Sequence, residues 1–187
     1  MIQEAYAQLQ GGEFEEAVEA FTDCLLVDPH QAESHYGRGM AHLKLKQWAL
    51  AIGDFRRAKE LAPSHPDYGV ALATALAADS QVYEAIEVFE EVLAAHPGHV
   101  RGYLQLAQLY YRLGAIAKGH AQLDAALKAR PSLAERQVIG QLQAEQRVLD
   151  KKRYYRPDFE ALRRQNQIES PAFLKRIVRF FAVRRGS

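Results

Sequence analysis

Seven histidines and one cysteine are the side chains of this 187-residue chain whose chemistry could include metal binding or nucleophilic attack. His96 and His99 stand three apart across Pro97. A zinc site built on that pair would need two further ligands, and no cysteine lies nearby. His30, His65, His96 and His99 fall in segments between helical stretches, where a polar, turn-tolerant side chain is all that local structure asks. His35 and His42 are seven apart, so a helix places them on one face as packing residues. Cys24 occupies a place where Ala58, Val92 and Ala126 recur, and it reads as a small core residue. The chain has no phosphate-cradling glycine loop, no His-Glu-x-x-His, no Cys-x-x-Cys and no Gly-x-Ser-x-Gly. The expectation is therefore a non-enzyme with no catalytic residue, no metal and no cofactor. Recognition is the chemistry left to explain.

The elements that carry these residues follow a fixed period. Pro29, Pro63, Pro97 and Pro131 are 34 residues apart. In the same phase stand the small residues Ala17, Ala51, Ala85 and Gly119, and the large apolar Phe21, Phe55, Phe89 and Leu123. Phe14, Trp48, Val82 and Ile116 form another column, and Ala5, Gly39, Ala73 and Ala107 a further small one. Alternating small and large columns describe two helices per unit that approach closely at the small positions. The period predicts stacked helical hairpins, with helices near 2–10, 14–27, 31–44, 48–61, 67–78, 82–95, 100–112 and 116–129. Each proline closes a unit, because the residue before proline is biased away from helix.

This pattern resembles the tetratricopeptide repeat over roughly residues 1 to 132, with Gly12 to Phe21 and Ala51 to Pro63 close to that family's second helix. Departures are local. Glu4 and Arg38 stand where the family usually has the leucine that Leu72 and Leu106 keep, and Gln8 and His42 replace an aromatic that Tyr110 keeps. The first unit is the weakest, and its leading helix is expected to be short or frayed.

The resemblance implies an all-α fold, a right-handed α-solenoid of four hairpins (about 1–30, 31–64, 65–98 and 99–132), in which first helices line a concave groove. That groove would be built from Ile2, Tyr6 and Leu9, then Tyr36, Met40, Leu43 and Lys44. It would continue through Val70, Thr74 and Ala77 to Arg101, Leu104, Gln108, Tyr111 and Arg112. Tyr6, Tyr36, Met40, Leu104 and Tyr111 would be its central anchors. The surface is apolar and aromatic with a basic end, suited to a helical or extended peptide segment of a protein partner. Relatives that hold chaperone C-termini use a lysine, asparagine and arginine clamp. Here Ile2, Tyr6, Gly37, Asp67 and Ala71 occupy those places, so a chaperone-tail receptor is not expected.

Hydrophobic content of 48% and one cysteine describe a single globular domain without a disulfide framework. The start, Met1-Ile2-Gln3-Glu4, lacks the pattern of a secretory signal, and no apolar run reaches the length of a spanning helix. A cytoplasmic location is the default expectation. Net charge is +1, yet residues 1–150 carry 13 Lys+Arg against 20 Asp+Glu, and residues 151–187 carry 11 against 3. Residues 133–156 read as a helix that caps the last hairpin, since an open solenoid end exposes apolar surface.

Residues 157–187 form a basic tail, beginning with helix-start signals at Pro157-Asp158 and Ser170-Pro171. Its last segment puts Phe173, Leu174, Ile177, Val178, Phe180 and Phe181 on one helical arc and Lys175, Arg176 and Arg179 opposite. Three roles compete for residues 151–187. Packing on the chain itself or on a second copy comes first, because bulky apolar residues seldom stay in water. An anionic membrane surface or membrane partner, with a peripheral location and an assembly-factor role, is the alternative. Nucleic-acid contact through Lys151, Lys152, Arg153, Tyr154, Tyr155 and Arg156 comes last.

Overall fold

The computed structural model describes residues 1–153, with side chains through 150. These form helices α1 (Ile2–Gly11), α2 (Phe14–Val27), α3 (Ala32–Lys44), α4 (Trp48–Leu61), α5 (Pro66–Ala78), α6 (Val82–Ala95), α7 (Val100–Arg112), α8 (Ile116–Lys128) and α9 (Leu133–Arg153). Every described element is α-helix or connecting turn. The chain divides into two compact units, Met1–Gln143 and Ala144–Ser187. The first holds the four hairpins and the start of α9; the second is described only as the remaining helix to Arg153. No helix among the described residues is long and apolar enough to cross a membrane. The side chains of Lys151, Lys152 and Arg153, and all of the tail including Lys175, Arg176 and Arg179, lie outside the described residues.

The hairpin turns repeat as strictly as the prolines. Gly12, Lys46, Ser80 and Gly114 all take positive φ, at 87°, 59°, 67° and 73°. At each turn a backbone amide reaches five residues back: Glu13 to Gln8, Gln47 to His42, Gln81 to Leu76 and Ala115 to Tyr110, at 2.9–3.0 Å. Left-handed backbone is needed there to satisfy the last carbonyls of the first helix. Two turns use glycine, and two force a side chain into that conformation. Ser132 and Glu135 then start α9 with reciprocal bonds: the Ser132 amide donates to Glu135 Oε2 at 2.8 Å, and the Glu135 amide to Ser132 Oγ at 3.3 Å. Hydrogen bonds from Ser132 to the carboxylate hold the Glu135 carboxyl below the ordinary carboxylate range.

Phe21, Phe55, Phe89 and Leu123 are fully buried, as the recurrent large column demands. Each fills space left by the small columns. A Cβ at Gly37 would come within 2.3 Å of Phe21 Cζ, so only glycine lets α3 lie against that ring. α1 has 10 residues against 13 in α3, α5 and α7. Gln8 buries its Oε1 there without a hydrogen-bond partner among the described residues, an arrangement that costs about 1–3 kcal/mol. At the other end Ile139 of α9 is 1% exposed and packs with Val100, Leu104, Ala107, Leu123 and Ala126.

The second hairpin contains what the columns alone did not show. Asp54, 7% exposed, accepts two bonds from Arg38, Nη2 to Oδ1 at 2.7 Å and Nε to Oδ2 at 2.9 Å. His35 Nδ1 lies 3.3 Å from Oδ1 and His42 Nε2 3.8 Å from Oδ2. Arg38 also donates to Thr22 Oγ1 of α2 at 3.2 Å. His35 and His42 do share a face, and that face meets a buried carboxylate. One unit later Leu72, Leu76 and Val88 fill the places of Arg38, His42 and Asp54, all of them buried. The second unit has exchanged an apolar triad for an ionic one.

Candidate functional site

α3, α5 and α7 are the first helices of successive hairpins, and they stand side by side in the compact unit. Their small residues pack closely against neighbouring helices, and among the described residues another face of each one is left uncovered. Between them lies a cavity of about 250 Å³ lined by Tyr36, Met40, Leu43, Asp67, Val70, Ala71, Thr74, Arg101 and Gln105. A smaller one of about 80 Å³ adjoins it, sharing Thr74 and Gln105 and adding Ala77, Phe89, Gln108, Leu109 and Arg112. The larger is walled by apolar groups with charge at one edge. The smaller is rich in carboxamides and carries a guanidinium, whose Nη2 donates to the Ala77 carbonyl at 3.4 Å.

Of the expected groove residues, Tyr36, Met40, Leu43, Val70, Thr74 and Arg101 line the larger cavity, and Thr74, Ala77, Gln108 and Arg112 the smaller. Lys44 is exposed beyond them. Ile2, Tyr6 and Leu9 are not part of either lining. They pack against Ala5, Ala17, Phe21 and Ala41, with the Tyr6 ring edge-on to Phe21 at 5.0 Å. Leu104 is a core residue here, and Tyr111 is half-buried. Leu104 is 9% exposed and joins the cluster around Ile139, because α9 covers the flank of α7 that a further repeat would cover. Tyr111 lies over Gly119, where an added Cβ would meet its ring at 2.3 Å, and its hydroxyl is 3.1 Å from His120 Nδ1. Asp67 and Ala71, named from the sequence only as occupants of clamp positions, also line the larger cavity, as does Gln105, which the sequence reading did not name. The period could have found them: Asp67 is the counterpart of Arg101, and Ala71 that of Gln105, 34 residues away.

Charge gathers at one edge of the larger cavity. Asp67 Oδ1 is 3.5 Å from Arg101 Nη1 and 3.6 Å from His99 Nε2, and Oδ2 is 4.0 Å from His65 Nδ1. Among the described residues no partner reaches it as closely as Arg38 reaches Asp54. His99 Nε2 is itself buried without a hydrogen bond among the described residues, and burial lowers the His99 pKa despite the nearby carboxylate. Beside Asp67 stand two phenols, Tyr36 and Tyr68, and a third, Tyr6, lies next to Glu33. Tyr36 and Tyr68 contact each other at 5.0 Å between centroids, and Tyr6 donates from its hydroxyl to the Glu33 carbonyl at 3.2 Å. Burial, then the Asp67 charge, raises the Tyr36 pKa; burial, then Glu33, raises that of Tyr6. These hydroxyls therefore stay protonated donors at neutral pH.

Two family models described as Tetratricopeptide repeat match residues 2–66 and 76–144. The chain is a tetratricopeptide-repeat protein. Among curated relatives, the TPR repeat-containing thioredoxin TTL4 of Arabidopsis thaliana is 37% identical over 67 residues, 36% of this chain and 10% of that protein. The chain thus spans about a tenth of the length of the curated relatives it matches. Among solved structures, TTC0263, a thermophilic TPR protein of Thermus thermophilus, is similar with a TM-score of 0.65 and 19% identity, over 73% of this chain and 76% of that one. The second TPR domain of human RPAP3, solved in complex with an HSP70 peptide, is similar with a TM-score of 0.55 and 26% identity, over 57% of this chain and 89% of that domain. Among the described residues, α3, α5 and α7 of this tetratricopeptide-repeat chain leave uncovered the faces that line the two cavities.

Proposed function

We propose that this tetratricopeptide-repeat chain is a non-catalytic scaffold or adaptor that captures a segment of a protein partner, helical or extended, against α3, α5 and α7. The observation that carries this reading is the open 250 Å³ cavity, whose apolar wall is made by residues of neighbouring first helices. A recess of that kind takes a bulky apolar anchor, and most of the binding energy of such contacts comes from a few desolvated anchors. The likeness to a repeat domain solved with a bound peptide supports the same reading.

The test is selection of displayed random peptides on the full chain, followed by measurement of the selected peptides on a Thr74→Arg variant. Thr74 is half-buried and lines both cavities, so arginine there fills the recess without entering the core. The expected result is at least about a tenfold loss of affinity, or roughly 1.4 kcal/mol, with helical content unchanged. Peptides that bind parent and variant equally would overturn the proposal.

A further inference from the structure

The smaller cavity gathers side-chain donors whose bonds are unmade. Gln105, Gln108 and Arg112 line it beside Thr74, over the buried Phe89 and Leu109. Thr74 spends its hydroxyl hydrogen on the Val70 carbonyl at 2.8 Å. Among the described residues Gln105 and Gln108 make no side-chain hydrogen bond, and Arg112 makes only the 3.4 Å bond to the Ala77 carbonyl. No carboxylate among those residues pairs with Arg112 or lines this cavity. The sequence accounts for the room as well as for the donors. Gln105, Gln108 and Arg112 stand at i, i+3 and i+7, one face of α7, and their counterparts 34 residues earlier on α5 are Ala71, Thr74 and Ala78. Long polar side chains on α7 therefore stand beside short ones on α5. A basic residue in the last turn complements the helix dipole, which accounts for Arg112 taken alone. It does not account for two unbonded carboxamides on the same cavity.

We propose that Arg112, Gln108 and Gln105 form a carboxylate subsite, which takes an aspartate or glutamate side chain of the captured segment. The inference rests on the peptide-capture reading and adds the chemistry of the partner: an apolar anchor in the larger cavity with an acidic residue beside it. The two cavities share Thr74 and Gln105, so neighbouring residues of one segment reach both. A guanidinium and two amide groups offer the incoming carboxylate charge-assisted hydrogen bonds. Asp67 lines the other cavity, so the recess runs from negative at Asp67 to positive at Arg112 and repels an acidic side chain at its first edge. Residues 1–150 carry 13 Lys+Arg against 20 Asp+Glu, which disfavours a partner that is acidic throughout and leaves one well-placed acid as the complementary charge. Gln105, Gln108 and Arg112 are none of the clamp places named from the sequence.

Three synthetic peptides with blocked ends serve as probes, each with a central leucine and, three residues to either side, glutamate, glutamine or lysine. A fourth carries glutamine and ends three residues after the leucine in a free carboxylate. Binding is followed by shifts of the backbone amide signals of α5 and α7 in the isotope-labelled full chain, which detects millimolar affinities. The glutamate peptide is expected to bind about fivefold tighter than the glutamine peptide, and the lysine peptide weakest. Arg112 is exposed, so Arg112→Gln leaves the core alone; it should erase the glutamate preference and leave the glutamine peptide unchanged. Arg101→Gln, at the Asp67 edge, should leave the preference as it is, and an equal loss there would replace the subsite by a general field and overturn it. Equal binding of glutamate and glutamine peptides, or tighter binding of the lysine peptide, overturns the subsite and leaves the capture reading standing. Preference for the free-carboxylate peptide over the glutamate peptide assigns the donors to a chain terminus and overturns the side-chain occupant. No binding by any of the four overturns both readings.

Discussion

Replacing Asp54 by valine should damage this protein, and replacing its partners as well should repair it. Asp54→Val removes the carboxylate that holds Arg38 by bonds of 2.7 and 2.9 Å and leaves the guanidinium against an apolar neighbour. Breaking a fully buried pair from one side costs about 3–5 kcal/mol. Arg38 keeps 24% side-chain exposure, so water compensates part of the loss, and about 2–3 kcal/mol is the expected cost. For a chain of this length that lowers Tm by about 4–12 °C. The triple variant Arg38→Leu, His42→Leu, Asp54→Val copies Leu72, Leu76 and Val88 of the next unit, where the same places are 4%, 0% and 9% exposed. It exchanges an ionic cluster for an apolar filling that the next unit already uses, and its stability should match or exceed the parent's. His35 retains its contact with the Pro29 carbonyl at 3.1 Å in every variant. Urea denaturation followed by circular dichroism, on parent, single and triple variants in one buffer, measures both effects. A single variant as stable as the parent, or a triple variant as weak as the single, would refute the reasoning.

Lys46 and Ser80 hold positive φ where Gly12 and Gly114 hold it in the flanking units, so Lys46→Gly and Ser80→Gly should each raise stability by about 0.5 kcal/mol. A fall in the urea midpoint for either would contradict that. His99 has a lowered pKa from burial, so the unfolded chain binds its proton more readily. Its stabilising contribution is fully present above the unfolded value and is lost as pH falls from about 6.5 toward the lowered folded value. His99→Gln should flatten the decline in Tm over that window, and an unchanged slope would show that other groups cause it.

The helices were legible because proline, small and large columns recur at one spacing and each column has a single packing duty. Pro66 opens α5 and Ala32 opens α3, each within one residue of the sequence expectation. Leu104 is buried where the period offers a groove residue, because the period says nothing about where it stops: Ile139 of α9 packs with Leu104 on α7. Asp54 was missed for a different reason. Arg38 and His42 were visible as departures, but an ionic triad needs its carboxylate, and only setting Asp54 beside Val88 in the same column links α4 to α3. Asp67 was noticed only as a residue that breaks a clamp, whereas its neighbours across three helices give it a place at the recess.

The ionic triad and the recess meet on α3. Tyr36, Met40 and Leu43 line the cavity, and His35, Arg38 and His42 face Asp54. At about 100° per residue these sets occupy different sides of one helix, so the rotation that seats one set seats the other. Apolar contacts are nondirectional, whereas a two-pronged guanidinium–carboxylate pair accepts only a narrow range of orientations. The triad is therefore expected to act on the angle at which Tyr36 enters the cavity as well as on stability. The same three proteins separate the two effects when they are also compared for capture of the selected peptides. A triple variant that is stable yet captures weakly assigns the triad to the orientation of α3; one that is stable and captures as the parent does assigns it to folding alone.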